Sequence, residues 1–145
     1  MLYGALSFET CIAEALIRDR FVRRARREIP LAAVLMRAHA RIATQPDEEL
    51  LLVDLRDTGC LDIGAPTDAA RARHFAAGQA LARSIYAEHP DVNGIIYPSR
   101  LTGEDCFAVF DRAIPKLTVL DACALKDHPE LPVLLEKGGI QLVDD

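Results

Sequence analysis

The chain has 145 residues, of which 50% are hydrophobic and 27% are charged, and its formal net charge is −5. This balance is typical of a globular protein with one buried core, and it excludes a largely disordered chain. No apolar run approaches the roughly 20 residues that span a bilayer, and the acidic charge argues against direct nucleic-acid binding as the main function.

The first predicted elements are a short strand, Met1 to Leu6, and a long helix. Ser7 is a typical N-cap residue, and the acidic Glu9 is favourable in a first helical turn. Apolar residues then recur at helical spacing, which predicts a helix from about residue 8 into the arginine-rich stretch 18–27. The residues of this apolar stripe are Phe8, Cys11, Ile12, Ala15 and Leu16.

The middle of the chain is predicted to hold a strand and a second long helix. Residues 31–45 fit either a helix or a strand, because their alanines favour the first and their polar–apolar alternation favours the second. The run ELLLVDLRD, residues 49–57, predicts a core strand. After a loop, Thr67 is predicted to cap a helix over about residues 68–88. Its predicted buried stripe consists of Phe75, Gly78, Ala82, Ile85 and Tyr86.

The last third of the chain is predicted to add several strands. Residues 94–100, GIIYPSR, form a strand that ends in a hydroxyl and a guanidinium, and a turn then leads into residues 105–112, DCFAVFDR. The second of these strands is apolar on both faces, so it should lie inside a sheet. A strand at 117–125, a short helix at 130–137 and a strand at 140–145 follow. The order of elements predicts an α/β fold, with a mixed sheet and flanking helices, as a single domain over residues 1–145.

The cysteines and histidines give no metal pattern. The four cysteines lie far apart without a CxxC pair, and three have apolar neighbours, which favours reduced structural thiols in a cytoplasmic protein. A catalytic thiol or a metal site is the alternative. The four histidines are scattered, and the N-terminus does not resemble a secretory signal. The cysteines are Cys11, Cys60, Cys106 and Cys123.

The stretch RDRFVRRARR, residues 18–27, holds six of the fourteen arginines. The plain interpretation is a solvated helix end, where cations also suit the helix macrodipole. A docking surface for an acidic partner is the sharper alternative, and a nucleic-acid patch is the third.

Three polar residues stand out by their position in the predicted elements. Tyr3 lies in the first strand, Glu14 on the flank of the apolar stripe of the first helix, and Ser99 at the end of a core strand. Taken singly, they are most simply a packed aromatic, a solvated acid and a turn former. Arg100, next to Ser99, is most simply a surface cation.

The sequence resembles the RES domain family through YGALSFETCIAEAL, ELLLVDLR, GIIYPSR and FAVFDR, which together span nearly the whole chain. In that family a strand tyrosine, a helix glutamate and a strand-end serine mark the active pocket, and here they correspond to Tyr3, Glu14 and Ser99. RES proteins are toxins of RES–Xre toxin–antitoxin pairs with a fold similar to ADP-ribosyltransferases. The resemblance therefore implies an Xre-type antitoxin as partner, NAD as substrate, and no metal.

The implied reaction is cleavage of the nicotinamide–ribose bond of NAD, by phosphate attack or by transfer of ADP-ribose to a protein. Glu14 and Ser99 are the predicted catalytic residues, because a fixed carboxylate stabilises a ribose cation and a hydroxyl orients the substrate. Tyr3, Ser99 and Arg100 are the predicted NAD-binding residues, with Tyr3 stacking on a ring and Arg100 pairing with pyrophosphate or incoming phosphate.

The family pattern also includes an arginine-bearing segment before the strand tyrosine, whereas this sequence starts at Met1, just before Tyr3. The domain is therefore expected to be N-terminally short, and its turnover of NAD to depend on that segment. The alternative hypothesis is a catalytically inactive RES-like binding module that only engages an antitoxin. A small RNA-binding domain is a third, weaker hypothesis, because only eight residues are Phe or Tyr and the chain lacks the aromatic platform of such domains.

Overall fold

The computed structural model describes residues 1–66 and 75–144 as eight strands and five α-helices. The strands are β1 (Leu2–Ala5), β2 (Glu28–Pro30), β3 (Ala38–Thr44), β4 (Leu52–Asp54), β5 (Gly94–Pro98), β6 (Asp105–Val109), β7 (Leu117–Ala124) and β8 (Gln141–Val143). The α-helices are α1 (Phe8–Ile12), α2 (Leu31–Leu35), α3 (Gly59–Asp62), α4 (Phe75–Glu88) and α5 (Leu131–Lys137). A π-helical turn, Ala13–Ile17, continues α1, and two 3₁₀ segments follow β6 and β7.

The largest sheet has the strand order β1-β6-β5-β4. β6 pairs antiparallel with both β1 and β5, so the prediction that this strand lies inside a sheet is confirmed. β4 pairs in parallel with β5 and is the last strand in that order, with only three residues. The predicted core strand at 49–57 is thus a short strand at the edge of the described sheet.

The other four strands form two separate pairs, so the prediction of one sheet is wrong in this respect. β2 pairs in parallel with β8, and β3 pairs antiparallel with β7. The β3–β7 pair has a register shift between Arg41 and Ile42, and most of its residues are exposed. Its large apolar residues Ile42, Val119 and Leu120 are all exposed, and they do not belong to the buried core.

Two hydrophobic clusters hold these elements. The sheet cluster joins the main sheet to α4 and consists of Leu55, Cys60, Ala82, Ile85, Val92, Ile95 and Phe110. The helix cluster joins α1, α2, α5 and β2, and consists of Phe8, Ile12, Leu16, Ile29, Val34, Leu125, Leu131 and Ile140. α1 is therefore anchored in one cluster, whereas β5 is anchored in the other.

The first helix is shorter than predicted. After Ile12 the hydrogen bonding changes to a π-helical turn, in which the Arg18 N–H donates to the Ala13 carbonyl at 2.7 Å. Arg18 then adopts φ 42° and ψ −122°, outside the helical region, so the helix ends before the arginine cluster. The wider turn also changes which face is buried: Ala13 is buried, whereas the predicted stripe residue Ala15 is exposed.

The arginine-rich segment therefore consists mainly of turns and bends, and the interpretation as a solvated helix end is wrong.

Residues 31–45, which fitted either a helix or a strand, contain both, since α2 is followed by β3. The predicted loop after residue 57 contains the short helix α3.

The second long helix is confirmed over Phe75–Glu88, whereas Thr67 and residues 68–74 lie outside the described residues. Ala82 and Ile85 are buried as predicted, and Gly78 is half-buried. Tyr86 is wrongly predicted, because it is exposed and packs edge-on against Phe110 at the rim of the sheet cluster. The last helix and the strands β7 and β8 are confirmed near their predicted positions.

Candidate functional site

The side chains of Ser99 and Glu14 meet in a direct hydrogen bond across 85 positions of sequence. Ser99 follows the last residue of β5, is only 4% exposed, and donates its Oγ proton to Glu14 Oε1 at 2.6 Å. The same Oγ accepts the N–H groups of Leu101 at 3.1 Å and Thr102 at 3.2 Å. Because these two donors occupy the hydroxyl lone pairs, the proton of Ser99 is directed at the carboxylate. The structure thus brings together two of the three residues that the resemblance singled out, and their catalytic roles stay a prediction.

Glu14 reaches Ser99 because of the helical period. Phe8, Ile12 and Leu16 recur every four residues and pack into the helix cluster. Thr10 and Glu14 lie two residues out of phase with them, which places both on the opposite side of the helix. That side faces the turn between β5 and β6, residues 99–104, which we call the Ser99 loop.

Tyr97 adds a phenol to this side of the sheet, and the sequence analysis did not select it as a site residue. It lies on β5, two positions before Ser99, and it is half-buried. Burial raises the pKa of Tyr97, and the nearby Cys106 and Glu14 side chains raise it further. Tyr97 therefore stays a neutral hydrogen-bond donor beside the Glu14 carboxylate. The signal that could have found it is its place in β5, two residues before Ser99.

Tyr3 lies on β1 opposite Ala108, on the sheet face that Tyr97 also occupies. It is 63% exposed, so it borders the candidate site instead of packing into a cluster. Its phenol is near enough to Tyr97 to add to the rise in the pKa of that residue. The role of Tyr3 in stacking on a ligand ring stays a prediction.

Arg100 does not point at the Ser99–Glu14 pair. Its Nη2 donates to the Asp19 carboxylate at 3.1 Å and 3.2 Å, in an ion pair that is partly exposed on both sides. This pair ties the Ser99 loop to the segment that follows the π-helical turn. Arg18, the residue before Asp19, lies near Tyr97, since its charge lowers the pKa of that phenol. Phosphate binding by Arg100 stays a prediction.

A second set of hydrogen bonds fixes the Ser99 loop to α1. We call it the Thr10 network, after its central residue, which is wholly buried. Thr10 Oγ1 donates to Glu104 Oε2 at 2.6 Å and lies 2.9 Å from Thr102 Oγ1. Ser7, the N-cap of α1, also bonds Glu104 Oε2, and it accepts the Thr10 N–H at 3.1 Å. The network consists of Ser7, Thr10, Thr102 and Glu104, and a groove of about 490 Å³ lined by Leu6, Ser7, Glu104 and Asp105 borders it.

The Thr10 network should make stability depend on pH. In the folded state the hydrogen bond from Ser7, and to a smaller extent the one from Thr10, holds the pKa of Glu104 below its ordinary value of 4.5. The contribution of this carboxylate is thus fully present above about pH 4.5 and is lost as pH falls through the lowered folded pKa. Thermal melts of the wild type and Glu104→Gln should differ most near pH 7 and converge in acid.

The control for this measurement is Glu49→Gln, which changes an exposed acid outside the network. A difference between wild type and Glu104→Gln that stays constant from pH 7 to pH 3 would contradict the assignment of the charged form of Glu104 to the network.

Burial disfavours the thiolate form of two of the cysteines, Cys11 and Cys106. All four cysteines are free, and burial raises the pKa of Cys106 to about 12 and also raises the pKa of Cys11.

Among the described residues no group of three or more His, Cys, Asp or Glu side chains is arranged to hold a metal ion. In the same part of the chain, no helix has the length and apolar character needed to cross a membrane.

Comparison with known proteins adds a family relationship. The family model described as RES domain matches residues 1–133, a range that contains Tyr3, Glu14 and Ser99. A protein of Sinorhizobium fredii (strain NBRC 101917 / NGR234) named "Probable toxin y4kH" is 41% identical over 98 residues. The aligned region is 67% of this chain and 77% of that protein. No solved structure matches the chain significantly.

Proposed function

Because the chain belongs to the RES domain family, we propose that it is a toxin that breaks the nicotinamide–ribose bond of NAD at the Ser99–Glu14 pair. The single observation that carries the proposal is the hydrogen bond between Ser99 Oγ and Glu14 Oε1, which joins a buried strand end to a helix carboxylate. The name of the Sinorhizobium relative supports the toxin role.

The chemistry of NAD suits a site with one fixed carboxylate. Nicotinamide is bound to the ribose as a cation, so it leaves with the electron pair of the glycosidic bond and needs no strong acid. Positive charge then develops on the ribose ring, and a nearby carboxylate stabilises that charge more in the transition state than in the ground state. An oxygen of phosphate, water or a protein side chain takes the vacated position on the ribose. In this proposal Glu14 supplies the negative charge.

The remaining residues of the site have supporting roles in this proposal. The bond from Ser99 leaves Glu14 Oε2 as the oxygen with which the carboxylate faces the ribose. Tyr97 and Tyr3 present aromatic surface and phenolic hydroxyls for the nicotinamide or its ribose. Arg100 would have to exchange Asp19 for a phosphate of the substrate, which a guanidinium does at modest cost where the ion pair is exposed.

We further infer a fold similar to that of ADP-ribosyltransferases and an antitoxin partner of the Xre type, both from family membership. The partner would limit NAD loss by engaging the toxin, and the arginine-rich segment 18–27 offers an exposed cationic surface for acidic side chains of such a protein.

The test is direct measurement of nicotinamide release. Purified protein is incubated with NAD, with and without inorganic phosphate, and the products are separated by chromatography. Free nicotinamide with ADP-ribose 1″-phosphate indicates phosphorolysis, ADP-ribose indicates hydrolysis, and protein-linked ADP-ribose indicates transfer. Absence of free nicotinamide under all conditions, including in cells in which expression stops growth, would overturn the proposal in favour of a non-catalytic binding module.

A further inference from the structure

We propose that Thr10 is a positioning residue, which acts through Thr102 to hold the Ser99 hydroxyl in the orientation that meets Glu14. The inference rests on the proposed function, since it concerns the same pair of side chains. It assigns a role to a buried hydroxyl that does not belong to the reacting pair itself.

The Ser99 loop needs an external support. Ser99 is the one buried residue of the loop, whereas residues 100–104 are all exposed, and Gly103 has a positive φ of 79°. Within the loop, the Ser99 N–H donates to the Glu104 carbonyl at 2.7 Å, and the Gly103 N–H donates to the Ser99 carbonyl at 2.9 Å. These bonds close the turn, but they do not set its position relative to α1.

Thr10 holds the Ser99 loop in place relative to α1. It is fully buried on the side of α1 that faces the loop, where an unpaired hydroxyl would be costly. Its proton goes to Glu104 Oε2, so the 2.9 Å contact with Thr102 Oγ1 has Thr102 as the donor. One buried oxygen on the helix thus binds the loop at two residues.

Thr102 connects this support to the reacting pair. Its N–H donates to Ser99 Oγ at 3.2 Å, while its hydroxyl bonds Thr10. Thr10 and Glu14 lie four residues apart on α1 and its continuation, so the helix and the loop meet at two points one turn apart. Loss of the Thr10 hydroxyl removes its bonds to Thr102 and Glu104 and leaves only the Ser7–Glu104 bond at this point, so Thr102 is no longer held as a fixed donor to the Ser99 lone pairs.

The experiment compares Thr10→Val with Thr10→Ser, a conservative variant that keeps the hydroxyl. For Thr10→Val we expect kcat for nicotinamide release to fall about tenfold with KM within about twofold, whereas Thr10→Ser should stay within about twofold in both. In a Ser99→Ala background, Thr10→Val should cause no further fall, because both changes remove the same orientation. Full kcat in Thr10→Val, or an equal fall in the Ser99→Ala background, overturns the inference.

Amide hydrogen exchange gives a readout that does not need turnover. In Thr10→Val the amides of Leu101 and Thr102 should exchange at least tenfold faster, while those of α4 keep their wild-type rates. Unchanged exchange rates at these two amides overturn the inference. If the Ser99→Ala variant releases nicotinamide too slowly to measure, the exchange rates alone decide. If the wild type releases no nicotinamide, the proposed function fails, and this measurement still decides the positioning role.

Discussion

Replacement of Glu14 by glutamine is expected to slow nicotinamide release by about a hundredfold to a thousandfold, the range seen when one preorganised electrostatic group is removed from an active site. Glutamine has nearly the same shape and still accepts the Ser99 proton, so the change removes the charge and keeps the contact. The rate is measured as nicotinamide released from NAD under saturating conditions, together with growth arrest on expression.

The matched control is Glu9→Gln, an exposed acid on the same helix whose carboxylate lies 3.4 Å from Lys137 Nζ, away from the pair. Its rate should equal that of the wild type. A Glu14→Gln protein that retains both the wild-type rate and growth arrest would show that the carboxylate is not catalytic, and would favour a toxin that acts through binding alone.

Replacement of Phe110 by alanine is expected to lower the free energy of unfolding by about 3–5 kcal/mol, the range for truncation of a buried aromatic side chain. Phe110 is 1% exposed and is among the largest side chains of the sheet cluster. Its ring packs edge-on against Tyr86 with centroids 5.1 Å apart, and its N–H donates to the Asn93 carbonyl at 2.8 Å. Urea unfolding followed by circular dichroism measures the loss.

Val133→Ala is the control, since Val133 lies on α5 and is 65% exposed. It should change the unfolding free energy by less than about 0.5 kcal/mol, as surface substitutions usually do. Equal losses for the two variants would mean that Phe110 does not anchor the sheet cluster as its burial indicates.

The fold was predictable where local patterns carry the information. The apolar run in β6 predicted an interior strand, and the period of α4 predicted Ala82 and Ile85 as buried. The π-helical turn was not predictable, because the residues of Ala13–Ile17 fit an α-helical pattern and give no signal of the i−5 bond that the Arg18 N–H makes. The division of the strands into separate sheets depends on long-range pairing, which no single segment specifies.

The candidate site, like the fold, was predictable only in part. The proximity of Glu14 and Ser99 was expected only through the family resemblance, since nothing local joins residues 85 positions apart. Thr10 and Glu104 escaped notice because a threonine in a helix and an acid in a turn are ordinary at those positions. Arg100 was selected for its charge, and the structure pairs it with Asp19, a neighbour that only the folded chain brings near.

The Ser99–Glu14 contact bridges two packing units, since the helix that carries Glu14 is rooted in the helix cluster and the strand before Ser99 in the sheet cluster. The contact forms only when both packing units are folded at the same moment. The fraction of molecules that have the contact is therefore smaller than the fraction in which either unit is folded. A subglobal opening of one half separates the acid from the hydroxyl while the other half stays folded. Molecules of this protein can therefore be well folded by most spectroscopic measures and still lack the one juxtaposition on which the proposed cleavage of NAD depends.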